Sequence, residues 1–405
     1  MSDNSQSQAF IYDGLRSPFG RHAGGLSGVR ADDLLAQVIA ALVDRSGFAA
    51  ADIEDVIAGC TNQAGEDSRN IARHAGLLAG LPVETGGLTV NRLCGSGLAA
   101  TIDAARALKC DEGNLFVAGG AESMSRAPYV MSKGDTPFSR SAQLFDSTIG
   151  SRFPNPRIAK QFGNDTMPET ADNIASDMGI SREQSDVFAA ASQAKYAAAK
   201  ADGFFNEEIL AIDVPVKRKA PPLQISEDEH PRPQSTVEAL TGLKPLFDGG
   251  VVTAGNASGI NDGAAALLIG NREAGERASQ APRGRIIAGA IAGVAPRVMG
   301  LGPAPASIKA LERAGLTLAD MDVIEINEAF ATQVLGCTQL LGIAGDDSRL
   351  NPNGGAIAIG HPLGASGARL VLTTLRQLER SGGRYAVISM CIGVGQGIAA
   401  VIERV

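Results

Sequence analysis

Apolar residues recur along the chain in short runs closed by glycine or proline, and several of these runs come in pairs. IYDGLRSPFG, from Ile11, and IIAGAIAGVAP, from Ile286, each read as a buried strand leaving a sheet. SGFAAADIEDVIAGC, from Ser46, matches AGLTLADMDVIEINE, from Ala314, and sets Val56 against Val323 at an offset of 267. LCGSG (Leu93–Gly97) matches LGASG (Leu363–Gly367) at an offset of 270. Each member of this last pair precedes a helical stretch rich in alanine or leucine, TIDAARALK or RLVLTTLRQLE, and then an apolar strand, NLFVAGG or RYAVISM. Strand, helix and strand, with the helix opening on a glycine turn, predict an α/β protein with a parallel, helix-covered sheet written twice. The expected organisation is two pseudo-twofold related halves, residues 1–122 with 251–275 and residues 276–405. Residues 123–250 have no counterpart, include KRKAPPLQISEDEHPRP, and read as an insertion of surface loops and short helices suited to substrate recognition.

With 405 residues, 44% hydrophobic and 20% charged, the chain has the profile of a compact protein of two or three domains rather than a disordered one. Its 36 Lys and Arg against 44 Asp and Glu give a net charge of −8 without a basic block, which argues against a nucleic-acid partner. The first twenty residues lack a basic segment followed by an apolar one, and no run is long enough to span a bilayer, so a cytoplasmic protein with no membrane partner is expected. Five cysteines, an odd number spread over a long chain, fit reduced thiols. Without CxxC or HxxxH spacing, and with four histidines in all, no metal site is expected.

Candidate chemistry gathers where strands end and helices begin. Cys94 lies in VNRLCGSGLAA directly before a glycine turn and a helix, a place expected to lower a thiol pKa and favour the thiolate. Cys60, Cys110 and Cys337 have no such turn and read as core cysteines. His361 lies in NPNGGAIAIGHPLGASGARL, the second-half equivalent of the Cys94 loop, so pseudo-symmetry makes a Cys/His pair plausible. His22, His74 and His230 stand in no such relation and read as structural. Cys391 opens CIGVGQG after the strand YAVISM, where a glycine-rich exit turns backbone N–H groups toward a ligand. That run is not GxGxxG and no strand–helix–strand unit follows it, which weighs against a dinucleotide site. NEAFA, from Asn327, ends the apolar strand MDVIEI at the edge where open α/β sheets bind ligands. Between Lys133 and Lys160, five cations (Lys133, Arg140, Arg152, Arg157 and Lys160) face two acids, Asp135 and Asp146, a local excess that suits an anionic ligand or a plain solvated face.

Taken in order, NRLCGSG, GGAESMS, TAGNASGINDGAA, NEAFA, GGAIAIGHPLGASG and MCIGVGQG resemble the motifs of the thiolase superfamily over nearly the whole chain. The resemblance implies a five-layered αβαβα fold of two similar halves with a loop insertion in the first, assembled as a dimer or tetramer. It implies an acyltransferase that takes acyl-CoA substrates, with coenzyme A as co-substrate and no permanently bound cofactor. Carried onto this chain, it makes Cys94 the nucleophile, His361 its activator and Cys391 the acid and base. Asn327, through a water, joins His361 in stabilising the enolate oxygen, and the N–H groups of Cys94 and Gly393 form the oxyanion hole. Ser258, Met167, Arg218, Ala257 and Phe330 fall at substrate or coenzyme A positions. FSRSAQLFDSTIGSRFPNP and TMPETADN look like the 3-oxoadipyl-CoA thiolases, which implies cleavage to succinyl-CoA and acetyl-CoA in aromatic-compound degradation. The alternatives are an acetoacetyl-CoA thiolase, a general 3-ketoacyl-CoA thiolase of fatty-acid β-oxidation, and a non-catalytic acyl-CoA-binding homologue.

Overall fold

The computed structural model describes residues 8–134, 136–216 and 221–405. In the first half, strands lie in the order Leu88–Val90, Asp55–Gly59, Leu115–Ser123, Asn261–Gly270 and Phe10–Arg16. In the second half the order is Val323–Ile326, Tyr385–Ile392, Gln396–Arg404 and Gly284–Gly293, and an Ile324–Leu350 bridge takes the place of the outermost strand. Two residue pairs, Phe10–Arg285 and Ile11–Gly284, join the halves edge to edge.

The sheet is mixed, which corrects the expectation of parallel strands. Asp55–Gly59 runs parallel to both its neighbours and Val323–Ile326 parallel to Tyr385–Ile392, whereas Asn261–Gly270 and Gln396–Arg404 return antiparallel. The reason is the connection that follows the fourth strand of each half. In the second half it is the tight turn 393–395, a hairpin that can only reverse direction, with Val394 and Gly395 at φ +64° and +84°. In the first half the same reversal is made through residues 124–260. That excursion holds two sizeable helices, Met167–Met178 and Arg182–Ala201, in place of the short ones expected. Capping boxes at Thr166/Glu169 and Ser181/Gln184 start them, and each buries an apolar face.

Five layers follow from which faces are apolar. Helices Ala31–Ser46 and Ile71–Leu78 cover the outside of the first sheet, Ser96–Lys109 and Leu363–Ser381 lie between the sheets, and Pro303–Ala314 with Ala331–Leu341 cover the outside of the second. The central helices meet backbone to backbone. A Cβ on Gly97 would stand 2.6 Å from the Gly364 carbonyl oxygen, and one on Gly367 would run into the Leu98 backbone. Glycine is therefore required on both sides of the contact, which accounts physically for the LCGSG and LGASG repeat. The same contact brings the two helix N-termini together.

Polar groups tie the insertion to this frame. Arg16, fully buried, donates from Nε to Glu208 at 2.6 Å and through both Nη atoms to Asp228 at 2.7 and 2.9 Å. The Tyr196 hydroxyl donates to the same Asp228 at 2.9 Å. No helix among the described residues is long and apolar enough to cross a membrane, and no group of three or more His, Cys, Asp or Glu side chains among them could hold a metal ion.

Candidate active site

Cys94 sits in a turn that its neighbours lock. Leu93 takes a left-handed φ of +46°, the Arg92 N–H donates to Ser96 Oγ at 2.8 Å, and the Ser96 hydroxyl donates to the Leu93 carbonyl at 2.6 Å. The N–H groups of Gly393 and of Cys94 itself act on the half-buried sulfur and favour its thiolate. Burial outweighs both and, with a small contribution from Glu122, pushes the thiol up to about 11. This reverses the expected depression, because a helix start stabilises the thiolate by less than desolvation costs it. Near neutral pH Cys94 is therefore a protonated thiol.

His361 supplies the complementary group. Its N–H donates to Asn261 Oδ1 at 3.0 Å, and Asn261 Nδ2 donates to the Gly20 carbonyl at 2.9 Å, so the first-half strand holds the second-half loop. The ring is 4% exposed, and Nδ1 lies 2.6 Å from Ser366 Oγ. Ser366 has one hydroxyl proton and gives it to the Pro362 carbonyl at 2.9 Å. With the hydroxyl given to Pro362, this hydrogen-bond pattern assigns the proton of the shorter bond to Nδ1 and leaves Nε2 an acceptor. Burial first, and then the charge of Arg369, hold the imidazole down at about 3, so it is neutral at physiological pH.

Nε2 lies 3.4 Å from Asn327 Nδ2. Asn327 continues the strand Val323–Ile326, its N–H donating to the Ser389 carbonyl at 2.9 Å, two residues before Cys391. Its Oδ1 is buried with no hydrogen-bond partner among the described residues, an acceptor left for a ligand. Cys391 ends the neighbouring strand opposite Gly397 and is buried. Desolvation, and then the nearby Cys94 and Cys337, push its thiol well above the usual range.

Around Cys391 the structure gathers Met167, Ala257 and Phe330, together with Ala171, Val252, Met299 and Ala329, into one apolar cluster. Met167 Sδ also stands 3.7 Å from where a Gly393 Cβ would be, so it borders the turn that faces Cys94. Ala257 pairs antiparallel with Phe330, and the Ser258 N–H donates to the Ala329 carbonyl at 2.9 Å, which docks NASG onto NEAFA. Arg218 lies outside the described residues. Of the basic stretch, Arg152 is half-buried and Lys133, Arg140, Arg157 and Lys160 are exposed. Cys60 and Cys337 are buried as expected; Cys110 is exposed, because it caps the C-terminus of Ser96–Lys109 instead of entering the core.

Three anchoring residues lie within the sequence motifs but carry no signal of their own there. Ser366, in LGASG, sets the histidine tautomer. Glu122, in GGAES, accepts the N–H groups of Thr61, Asn62 and Gly364 at 3.0–3.1 Å and clamps the start of the second central helix to the first half. Glu328, in NEAFA, accepts from Ser192 Oγ, Asn351 Nδ2 and the Ile357 N–H at 2.6, 2.9 and 3.2 Å and fixes the segment that leads to His361.

A thiol favoured by the N–H groups of Gly393 and Cys94, a second thiol near it, and a neutral imidazole on the loop that opens the partner central helix are groups suited to acyl transfer through a cysteine thioester. The sequence profile of the thiolase N-terminal domain matches residues 9–273, and that of the thiolase C-terminal domain matches residues 280–404. The chain belongs to the thiolase family. It is 58% identical to a beta-ketoadipyl-CoA thiolase of Acinetobacter baylyi over 98% of this chain and 99% of the relative. It is 57% identical to the 3-oxoadipyl-CoA/3-oxo-5,6-dehydrosuberyl-CoA thiolase of Escherichia coli, over 98% of this chain and 100% of the relative. Among solved structures, human mitochondrial 3-ketoacyl-CoA thiolase in complex with CoA superposes with a TM-score of 0.90 at 40% identity, over 99% of both chains. The fold is thus the thiolase fold, and the protein is an acyltransferase of a family that uses coenzyme A as a substrate.

Proposed function

We propose that the protein cleaves 3-oxoadipyl-CoA with coenzyme A to succinyl-CoA and acetyl-CoA. Cys94 gives its proton to His361 Nε2 and attacks the 3-keto carbon. The tetrahedral oxyanion receives the N–H groups of Cys94 and Gly393, and one such donor is worth about 2.7–4 kcal/mol of transition-state stabilisation. The C2–C3 bond breaks, succinyl stays on Cys94 as a thioester, and the acetyl-CoA enolate leaves. The newly formed Nε2–H of His361 and a water held by Asn327 stabilise the enolate oxygen, while Cys391 donates the proton that makes acetyl-CoA. Cys391, now a thiolate, takes the proton of incoming coenzyme A, whose sulfur attacks the thioester; succinyl-CoA leaves and His361 returns its proton to the Cys94 thiolate. Met167, Ala257, Ser258 and Phe330 line the acyl and pantetheine path, and Arg218 serves the nucleotide end.

The observation that carries this reading is the half-buried Cys94 with the Gly393 N–H and the buried Cys391 near it, and a His361 nitrogen left bare by Ser366. The 58% identity to a thiolase named for beta-ketoadipyl-CoA supports the dicarboxylic substrate. In the same proposal, residues 1–122 with 251–275 and residues 276–405 are the two halves, 123–250 carry substrate and coenzyme A recognition, and the enzyme works as a cytoplasmic homo-oligomer. The test is coenzyme A-dependent cleavage of 3-oxoadipyl-CoA beside acetoacetyl-CoA. A higher kcat/KM for 3-oxoadipyl-CoA supports the assignment; equal or reversed values overturn the substrate and leave the thiolase chemistry standing.

A further inference from the structure

Ser366 and Asn327, the side chains within hydrogen-bond distance of the His361 ring among the described residues, each lead back to a buried charge that the reaction above does not use. On the strand Val323–Ile326, Val323 packs into the core around the central helices while Ile324 and Ile326 pack outward. Strand alternation therefore puts Glu325 and Asn327 on the inward face. Arg369 stands three residues beyond Ser366 in Leu363–Ser381, one turn behind it on the same side of the helix. Glu325 and Arg369 are 1% and 0% exposed. Neither carboxylate oxygen of Glu325 and none of the three guanidinium nitrogens of Arg369 has a hydrogen-bond partner among the described residues.

Buried guanidinium groups ordinarily spend their donors on a carboxylate. Here each of the two is the other's strongest charged neighbour, yet no ion pair closes between them. The other charges in range, Arg16, Glu208, Glu328 and Lys195, are engaged elsewhere: Arg16 with Glu208, Glu328 with Ser192 and Asn351, and Lys195 with the Leu350 carbonyl. Burial lifts Glu325 to about 8 and also pulls Arg369 below its ordinary value; a guanidinium starts so high that it keeps its charge, so near neutral pH Glu325 offsets little of it. The field of Arg369 is left to act on the titratable ring that Ser366 touches.

We propose that Arg369 is a positioning residue of the thiolase reaction: its unpaired guanidinium behind Ser366 adds to burial in keeping the His361 imidazole neutral and ready for the Cys94 proton, and Glu325 tempers that field once it ionises. The inference rests on the roles given above to Cys94 and His361. Its test is the pH dependence of kcat/KM for thiolysis and, alongside it, of the iodoacetamide alkylation rate of Cys94, in the wild type, Arg369→Met, Arg369→Lys and Glu325→Gln. Protonating His361 removes the base, so loss of the Arg369 charge moves the acid limb of both profiles toward neutrality, by about one pH unit or more for Arg369→Met. Arg369→Lys keeps the charge and holds the wild-type limb. A wild-type limb in Arg369→Met, or equal shifts in the Met and Lys variants, overturns the proposal. Should Arg369→Met not fold, the near-isosteric Glu325→Gln decides: the change in rate as wild-type Glu325 ionises around pH 8 is absent from the variant, and identical profiles overturn the idea. A wild type that cleaves no 3-oxoacyl-CoA refutes the preceding function instead, and the alkylation profile still reports on Arg369.

Discussion

Replacing Ser366 by alanine tests the chemistry at its least obvious point. In the folded protein Ser366 Oγ accepts the Nδ1–H of His361 at 2.6 Å because its own proton is committed to the Pro362 carbonyl at 2.9 Å. Both partners are buried, so no bulk water replaces the lost hydroxyl. Ser366→Ala leaves Nδ1–H without its acceptor, a cost of ~1–3 kcal/mol, and lets the ring take the tautomer with the proton on Nε2, which cannot accept from Cys94. At about 1.4 kcal/mol per decade, acylation of Cys94 slows roughly 10- to 100-fold. The assay is rapid-quench measurement of the acyl-enzyme burst, with the melting temperature recorded to show that the variant is folded. A folded Ser366→Ala enzyme that acylates within about twofold of the wild type refutes the tautomer argument.

Three further outcomes are expected. Cys94→Ser forms no acyl-enzyme with a reactive thioester, whereas Cys391→Ala is still acylated but fails to turn over 3-oxoacyl-CoA; normal turnover by Cys391→Ala contradicts the roles assigned to the two thiols. Gly367→Ala forces a Cβ onto the Leu98 backbone where the central helices touch, so denaturant unfolding should show a loss of ~1–3 kcal/mol, and an unchanged stability argues against that contact as the pivot of the two halves. His230 and His361 are held neutral by burial, at about 4 and about 3 against an ordinary 6.5. Below pH 6.5 the unfolded chain takes up protons that the folded one refuses, so stability falls as the pH drops, and the His230 share is complete near pH 4. Melting temperatures of His230→Asn should decline less steeply than the wild type across that window; an equal slope refutes the assignment.

Much of this site was legible because its chemistry stands at punctuation. Cys94 and His361 precede the two central helices, Asn327 and Cys391 end parallel neighbouring strands, and the repeat that relates LCGSG to LGASG is the glycine contact that brings those helix starts together. Less legible were features that depend on burial or on chain direction. A helix start alone argues for an acidic thiol, whereas the desolvation of the half-buried Cys94 acts the other way and wins. Parallel and antiparallel neighbours share the same apolar pattern, so the mixed sheet emerges from the 393–395 hairpin rather than from periodicity. Ser366 and Arg369 look like ordinary helix residues in sequence; their importance lies in a hydroxyl with one proton to give and in a guanidinium with no carboxylate to meet. Met167 came from resemblance, and its place beside the Gly393 turn came from the fold.

The most direct measurement is intact and peptide mass spectrometry of the enzyme mixed with 3-oxoadipyl-CoA in the absence of free coenzyme A. The account requires a succinyl adduct on Cys94 with release of acetyl-CoA, and loss of the adduct as succinyl-CoA once coenzyme A is added. An enzyme that cleaves the substrate with no adduct, or with the adduct on Cys391, contradicts it.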